Sequence, residues 1–212
     1  YRDAVINGKF LAGATTIAVL LVAIVLVISG FGLALVGVVP GVEEILRLAI
    51  YVGISIFYIS FWLGLSILFS IAFRSVATSF LASVALWIFL SFFVSLGASV
   101  LANSIAPVER REGADPETVI ANSQIKEGVS LISPMFIYSS ATATIVDPMR
   151  KTTKSLVLMG PMEQISSSRF QSPLSLGQSL VVVYPHLVAL IAISLICFAV
   201  SYWVFMMQEI RT

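Results

Sequence analysis

Few residues in this chain could do chemistry, and their spacing narrows what that chemistry is. There is one histidine, His186, and one cysteine, Cys197. A lone imidazole can relay a proton or hold a ligand. His186, however, follows Tyr184-Pro185 at the start of an apolar run, where an amphipathic ring sits at headgroup level, so an interfacial or hydrogen-bonded histidine is the weightier reading. A single thiol inside an apolar run supplies neither an intrachain disulfide nor a thiolate metal cluster. Gly8-Lys9 has the ending of a phosphate-binding loop, but Asp3 stands where its first glycine belongs and Phe10 where its hydroxyl residue belongs, so no nucleotide site is expected. Gly53-Ile-Ser55 and Gly64-Leu-Ser66 begin like nucleophile elbows, lack the second glycine and have no base to spare, which argues against a hydrolase.

Ser91, Ser95 and Ser99 recur at a four-residue step, and Gly97 and Asn103 continue the small, polar character. Small residues at that step let two helices approach closely, so helix packing outweighs a polar lining for a substrate path. Ser60 and Gly64 repeat the pattern and are read the same way. Gly37 and Gly41 also fit it, but Pro40 places them at a helix end. Trp62, Trp87 and Trp203 read as interfacial anchors or core.

The elements that carry these residues follow from composition. The 212 residues are 58% hydrophobic and 11% charged, with a mean hydropathy of +1.03. Twelve Lys+Arg and eleven Asp+Glu cannot cover a water-facing globule of this size, so most of the surface faces lipid. A formal net charge of +1 gives no basic field, and no nucleic-acid partner is expected. Crossing the hydrocarbon core takes about 20 apolar residues. Four uncharged stretches are long enough: Leu11 to Val38, Leu48 to Phe73, Val76 to Ile105, and Leu180 to Met207. The fold class is therefore an all-α integral membrane protein, a polytopic helix bundle. Since none of these stretches holds an Asp, Glu, Lys or Arg, ion-coupled transport and intramembrane catalysis lose support.

The organisation expected is an entry segment with three spans over residues 1–106, a charged cap over 107–178, and a last span with its tail over 179–212. Within the cap, Ile125, Val129, Ile132 and Phe136 follow steps of 4, 3 and 4, the spacing of one helical face. Met135 to Val146 is too short to cross and suits an interfacial or re-entrant helix. Pro134, Pro148, Pro161 and Pro173 divide the cap into short helical pieces. Arg2, Lys9, Arg74 and Arg211 fall on one side of the membrane and only Arg47 in a short loop on the other. The positive-inside bias thus puts both ends in the cytoplasm and the cap outside.

The order of features resembles a known family. An entry reading Tyr1-Arg-Asp-Ala-Val-Ile-Asn-Gly-Lys9-Phe-Leu-Ala-Gly13 runs into a span, and a Phe73-Arg-Ser75 turn joins two spans. A Leu131-Ile-Ser-Pro-Met135 stretch lies in the cap, and the last span ends at Gln208-Glu-Ile-Arg211. This is similar to the membrane (permease) subunit of ATP-binding-cassette transporters of the exporter type, over essentially the whole chain. The family usually has six spans, so a first span and an amphipathic coupling helix are expected ahead of Tyr1. The resemblance implies a substrate path through the plasma membrane of a prokaryote, a second permease copy, and a separate cytoplasmic ATPase subunit that binds ATP and Mg while this chain binds no cofactor. It also implies ATPase contacts at Arg2, Asp3, Lys9 and Arg74; the alternative for each is a topogenic or snorkelling charge, and for Arg74 the two readings weigh equally. The competing reading is a membrane scaffold or assembly factor that binds a partner through the cap.

Overall fold

A computed structural model describes residues 2–37, 39–107, 116–153 and 172–207, and the regular structure there is helical throughout. In chain order the elements are α1 (Arg2–Val36), α2 (Val42–Ala72), α3 (Val76–Ile88), a π-helical turn (Phe89–Phe93), α4 (Val94–Ile105), α5 (Pro116–Ser130), α6 (Pro134–Val146) and α7 (Leu176–Met207). Four stretches are long and apolar enough to cross a membrane: Ala4–Leu35, Val42–Ala72, Val76–Ile105 and Leu176–Met207. They coincide with the four uncharged runs, extended by one to two turns at the start of the first, second and fourth. The helices begin and end where local chemistry dictates. Gly37 closes α1 at φ +72°, a left-handed conformation that a Cβ would strain, and its N–H reaches the Leu33 carbonyl at 3.0 Å. Glu43 and Glu44 sit in the first turn of α2, where the unpaired N–H groups favour negative charge, and the Glu44 carboxylate accepts from the Gly41 N–H at 2.7 Å.

In the cap the expected single face does not run on through Phe136. Helix α5 ends at Ser130, residues 131–132 form a turn, and α6 leaves at 107° to α5. The 4-3-4 period therefore straddles a corner. Pro134 causes it: with its fixed φ and missing N–H it suits the first turn of a new helix but not the interior of an old one, and Ser133 caps that new helix by accepting from the Phe136 N–H at 3.4 Å.

The chain forms two compact units, residues 1–84 with 187–212, and residues 85–186. Their limits differ from the expected boundaries at 106 and 178 because α4 belongs with cap helix α5. In the first unit Ile6, Ile54, Phe61, Leu65, Leu190 and Cys197 are buried; in the second Val94, Ala98, Ala102, Ile137, Ala141, Ile145 and Val183 are. Both units have an inverted polarity. Ser133, Thr144, Ser179 and Ser201 are fully buried, whereas Val19, Leu20, Ile24, Leu26, Ile28 and Phe31 on α1 are exposed. Side chains arranged that way dissolve in hydrocarbon and pair their hydroxyls inside.

Candidate functional site

Of the residues expected to meet an ATPase subunit, Arg2, Asp3 and Arg74 fall toward one end of the first unit by backbone position, and Lys9 lies farther in. Helices α1 and α2 are joined by a short turn and run antiparallel, with Gly13 opposite Leu63; a Cβ on that glycine would stand 3.0 Å from Leu63 Cδ2. Moving eleven residues from that contact reaches residue 2 on α1 (13 − 2) and residue 74 past α2 (74 − 63), a matched displacement of about 16 Å. The backbone of Arg2 and Asp3 opens α1 there, though their side chains lie outside the described residues. Lys9 is exposed one turn from Gly13, and Arg74 is exposed in the tight turn between α2 and α3. The opposite turn contributes one basic residue, Arg47, which is buried and ion-paired to Glu43 at 2.8 Å.

Helix α7 is held against α2 by a ladder of side-chain hydrogen bonds. Ser194 Oγ donates to the Phe57 carbonyl at 3.0 Å, Cys197 Sγ to the Phe61 carbonyl at 3.7 Å, and Ser201 Oγ to the Gly64 carbonyl at 2.9 Å. Both positions advance together, so the two helices are parallel, and the end of α7 falls with Arg74. Each hydroxyl proton is shared with its own helix, Ser194 with Leu190 at 2.8 Å and Ser201 with Cys197 at 2.8 Å. Gly64 makes the approach possible. A Cβ there would lie 3.5 Å from Cys197 Sγ and 3.7 Å from the Phe198 nitrogen, already at van der Waals contact. Packing is the role expected of Gly64 from sequence. Its partners Ser194, Cys197 and Ser201 are not among the expected packing residues, although their 3 and 4 residue steps are the signature of a small polar helix face. The Phe10 and Phe198 rings, 4.3 Å apart, bring α1 to the same seam.

In the second unit the three serines at four-residue spacing part company. Ser91 is buried, Ser95 exposed and Ser99 half-buried, with the Ser99 hydroxyl donating to the Ser95 carbonyl at 3.1 Å. Ser91 lies in the π-helical turn that precedes α4. The buried stripe runs instead through Ser91, Val94, Ala98 and Ala102. Against it α5 is fastened by Asn122, whose Nδ2 donates to Asn103 Oδ1 at 3.0 Å and to the Ala106 carbonyl at 2.7 Å, satisfying the end of α4. Thr144 of α6 donates to the Ser179 carbonyl of α7 at 3.1 Å.

Among the described residues, four buried side-chain atoms have no hydrogen-bond partner: Trp62 Nε1, Ser91 Oγ, Glu127 Oε2 and His186 Nδ1. The orphaned ring nitrogen departs from the expectation of a hydrogen-bonded histidine at that atom. No group of three or more potential metal ligands occurs among the described residues. The arrangement offers a lipid-exposed bundle with a basic end and a rigid helix seam.

Comparison with known proteins agrees with this architecture. The family model described as "ABC-2 family transporter protein" matches residues 1–210. No curated protein and no solved structure matches the chain. A match over nearly the whole length, on a chain with four membrane-crossing helices, shows that this protein belongs to the ABC-2 family of transporter membrane proteins.

Proposed function

We propose that the chain is the permease subunit of an ABC transporter that pairs with a second copy to form the substrate path in a prokaryotic plasma membrane, driven by a separate cytoplasmic ATPase subunit that binds ATP and Mg. What supports the reading is the family match over residues 1–210, together with exposed Lys9 and Arg74 on the side of the first unit away from Arg47, which is ion-paired with Glu43. Under the positive-inside bias that end is cytoplasmic. Both described chain ends then face the cytoplasm, and the basic end is where an ATPase would dock.

Conformational drive enters at that end. A closing ATPase dimer pushes on the Arg74 turn and on the first turn of α1, and the α2–α7 seam transmits the push because its donors and acceptors are locked in register. A packed seam has few intermediate arrangements, so the bundle switches between packings rather than deforming gradually. ATP enters only as a bias on that equilibrium, through interactions that differ between the two packings.

The test is a mild-detergent pull-down of the full-length protein from its native membrane, with mass spectrometry and an ATPase assay on the eluate. A stoichiometric nucleotide-binding subunit with ATPase activity is expected, and its recovery should drop severalfold for the double variant K9E/R74E. Recovery of a reproducible partner of the cap with no ATPase would replace this reading with the scaffold one.

A further inference from the structure

Helix α7 runs without interruption through a proline, and the two sides of that proline are fastened to different neighbours. Ahead of Pro185, the Ser179 carbonyl accepts from Thr144 Oγ1 of cap helix α6 at 3.1 Å, and both residues are fully buried. Beyond it, the bonds from Ser194, Cys197 and Ser201 to the α2 carbonyls of Phe57, Phe61 and Gly64 hold the helix in register. Between these fastenings the packing lapses. The buried residues of α7 are Ser179, Val183, Leu190, Ser194, Cys197 and Ser201, at steps of 4, 7, 4, 3 and 4, the period of one helical face with a single step left out. Residues 184–189 fill that gap, none of them is buried, and Pro185 is among them.

The backbone is weakest at the same place. Pro185 has no N–H to give the Val181 carbonyl, and its ring crowds that carbonyl, so α7 lacks one of its own bonds there. Val181, Tyr184 and Pro185 are all exposed, so the turn is not stiffened by packing on that face. We propose that Pro185 is the hinge of α7: the stretch before it moves with α6 of the cap, and the stretch after it moves with α2. Helices bend sharply where a proline interrupts their ladder of bonds, and the unburied residues 184–189 leave the slack that a bend needs. The fastenings on either side confine the bend to this turn, because packed contacts do not deform gradually. The chain passes between its two compact units in α7 between His186 and Leu187, beside the proline. Its other passage, between Val84 and Ala85 of α3, is followed by the π-helical turn Phe89–Phe93, another irregularity at which helices bend. The hinge rests on the permease reading only for its use: there, the α2–α7 seam would carry the push as far as Leu190, and Pro185 would turn it into movement of the cap.

Pulsed electron-spin distance measurements test the hinge. The full-length protein is prepared with C197S, which keeps a donor for the Phe61 carbonyl, and is placed in lipid nanodiscs. One pair of spin labels, on Q124C and V76C, spans the hinge; a second, on V42C and V76C, lies within the first unit, and all three positions are exposed. The distance distribution is expected to be broader for the pair that spans the hinge. P185A restores the missing N–H and is expected to take away most of that excess width while leaving the distribution of the second pair unchanged. A spanning pair no broader than the second pair overturns the proposal, as does an excess width that survives P185A, or an equal narrowing of both pairs. If P185A is not recovered folded, P185S, which also supplies the N–H, is read in its place with the same expectation. The measurement needs no ATPase, so a failed pull-down would leave the hinge standing, and a width unmoved by P185A would leave the permease reading standing.

Discussion

At the residue scale, small side chains do the structural work that large apolar ones do in a water-soluble core. In hydrocarbon there is little to gain from hiding leucine, so contact between helices depends on close backbone approach and on hydroxyls that find carbonyls. Gly64 supplies the approach and Ser194, Cys197 and Ser201 the bonds. Substitution should therefore be graded by size. G64A places its Cβ at ordinary contact distance from Cys197 and is expected to be close to neutral, whereas G64L must push α7 away and should cost about 1–3 kcal/mol, as overpacking does. Unfolding in mixed micelles would check this, and equal stability of the two variants would mean that α7 does not lie against Gly64. S194A with S201A removes two bonds of about 0.6 kcal/mol each, a loss at the lower end of the range expected for G64L by the same measurement. Gly13 makes a useful contrast: the atom its Cβ would crowd is the flexible end of Leu63, which can turn aside, so G13A should be tolerated.

At the element scale, a row of small residues decides which face of α4 meets α5. Val94, Ala98 and Ala102 lie inward at steps of four and leave Ser95 out. Fully buried alanines at 98 and 102 then allow Asn122 to reach both Asn103 and the Ala106 carbonyl. Asn122 has two amide protons and uses both, which leads to a discriminating prediction. N122D keeps the size but cannot donate, and should destabilise the α4–α5 contact by about 0.5–1.5 kcal/mol, the usual net worth of a hydrogen bond, as read by faster amide exchange in α5. Exchange unchanged in N122D would show that the asparagine is not the fastening. Much of this scale is legible in the sequence. Charge-free runs bounded by Glu43, Arg74 and Glu109 locate the spans, and Pro134 locates the corner of the cap, because length and missing N–H groups act locally. The stripe of serines misleads because the buried row is Val94, Ala98 and Ala102, one position away, and a four-residue step of small side chains does not say which of two adjacent rows faces a neighbour. The pairing of Ser201 with Gly64, 137 residues apart, is out of reach for a different reason: either member can be recognised as an interface residue, but local periodicity does not choose its partner.

At the scale of the whole molecule, the deciding quantities are how few charges there are and where they stand. Exposed Lys9 and Arg74 lie on one side of the first unit, and toward the opposite turn stands Arg47, ion-paired with the first-turn Glu43. With so small a difference holding the orientation, it should be reversible by moving charge. A reporter that fluoresces only in the cytoplasm, fused after Thr212, is expected to be bright on the wild-type chain. Replacing Lys9 and Arg74 by Gln while placing Lys at Val39 and Val42 in the opposite turn transfers two basic residues from one side to the other. Each can contribute on the order of 1 kcal/mol near an anionic leaflet, enough together to redistribute two orientations that differ by only a few such contributions. The expected result is a severalfold fall in fluorescence with membrane insertion retained, checked by a second reporter that works only outside. A chain that stays fully bright after all four would show that its orientation is fixed by something other than basic residues in its short connections, and would remove the argument that places the Arg74 end against an ATPase.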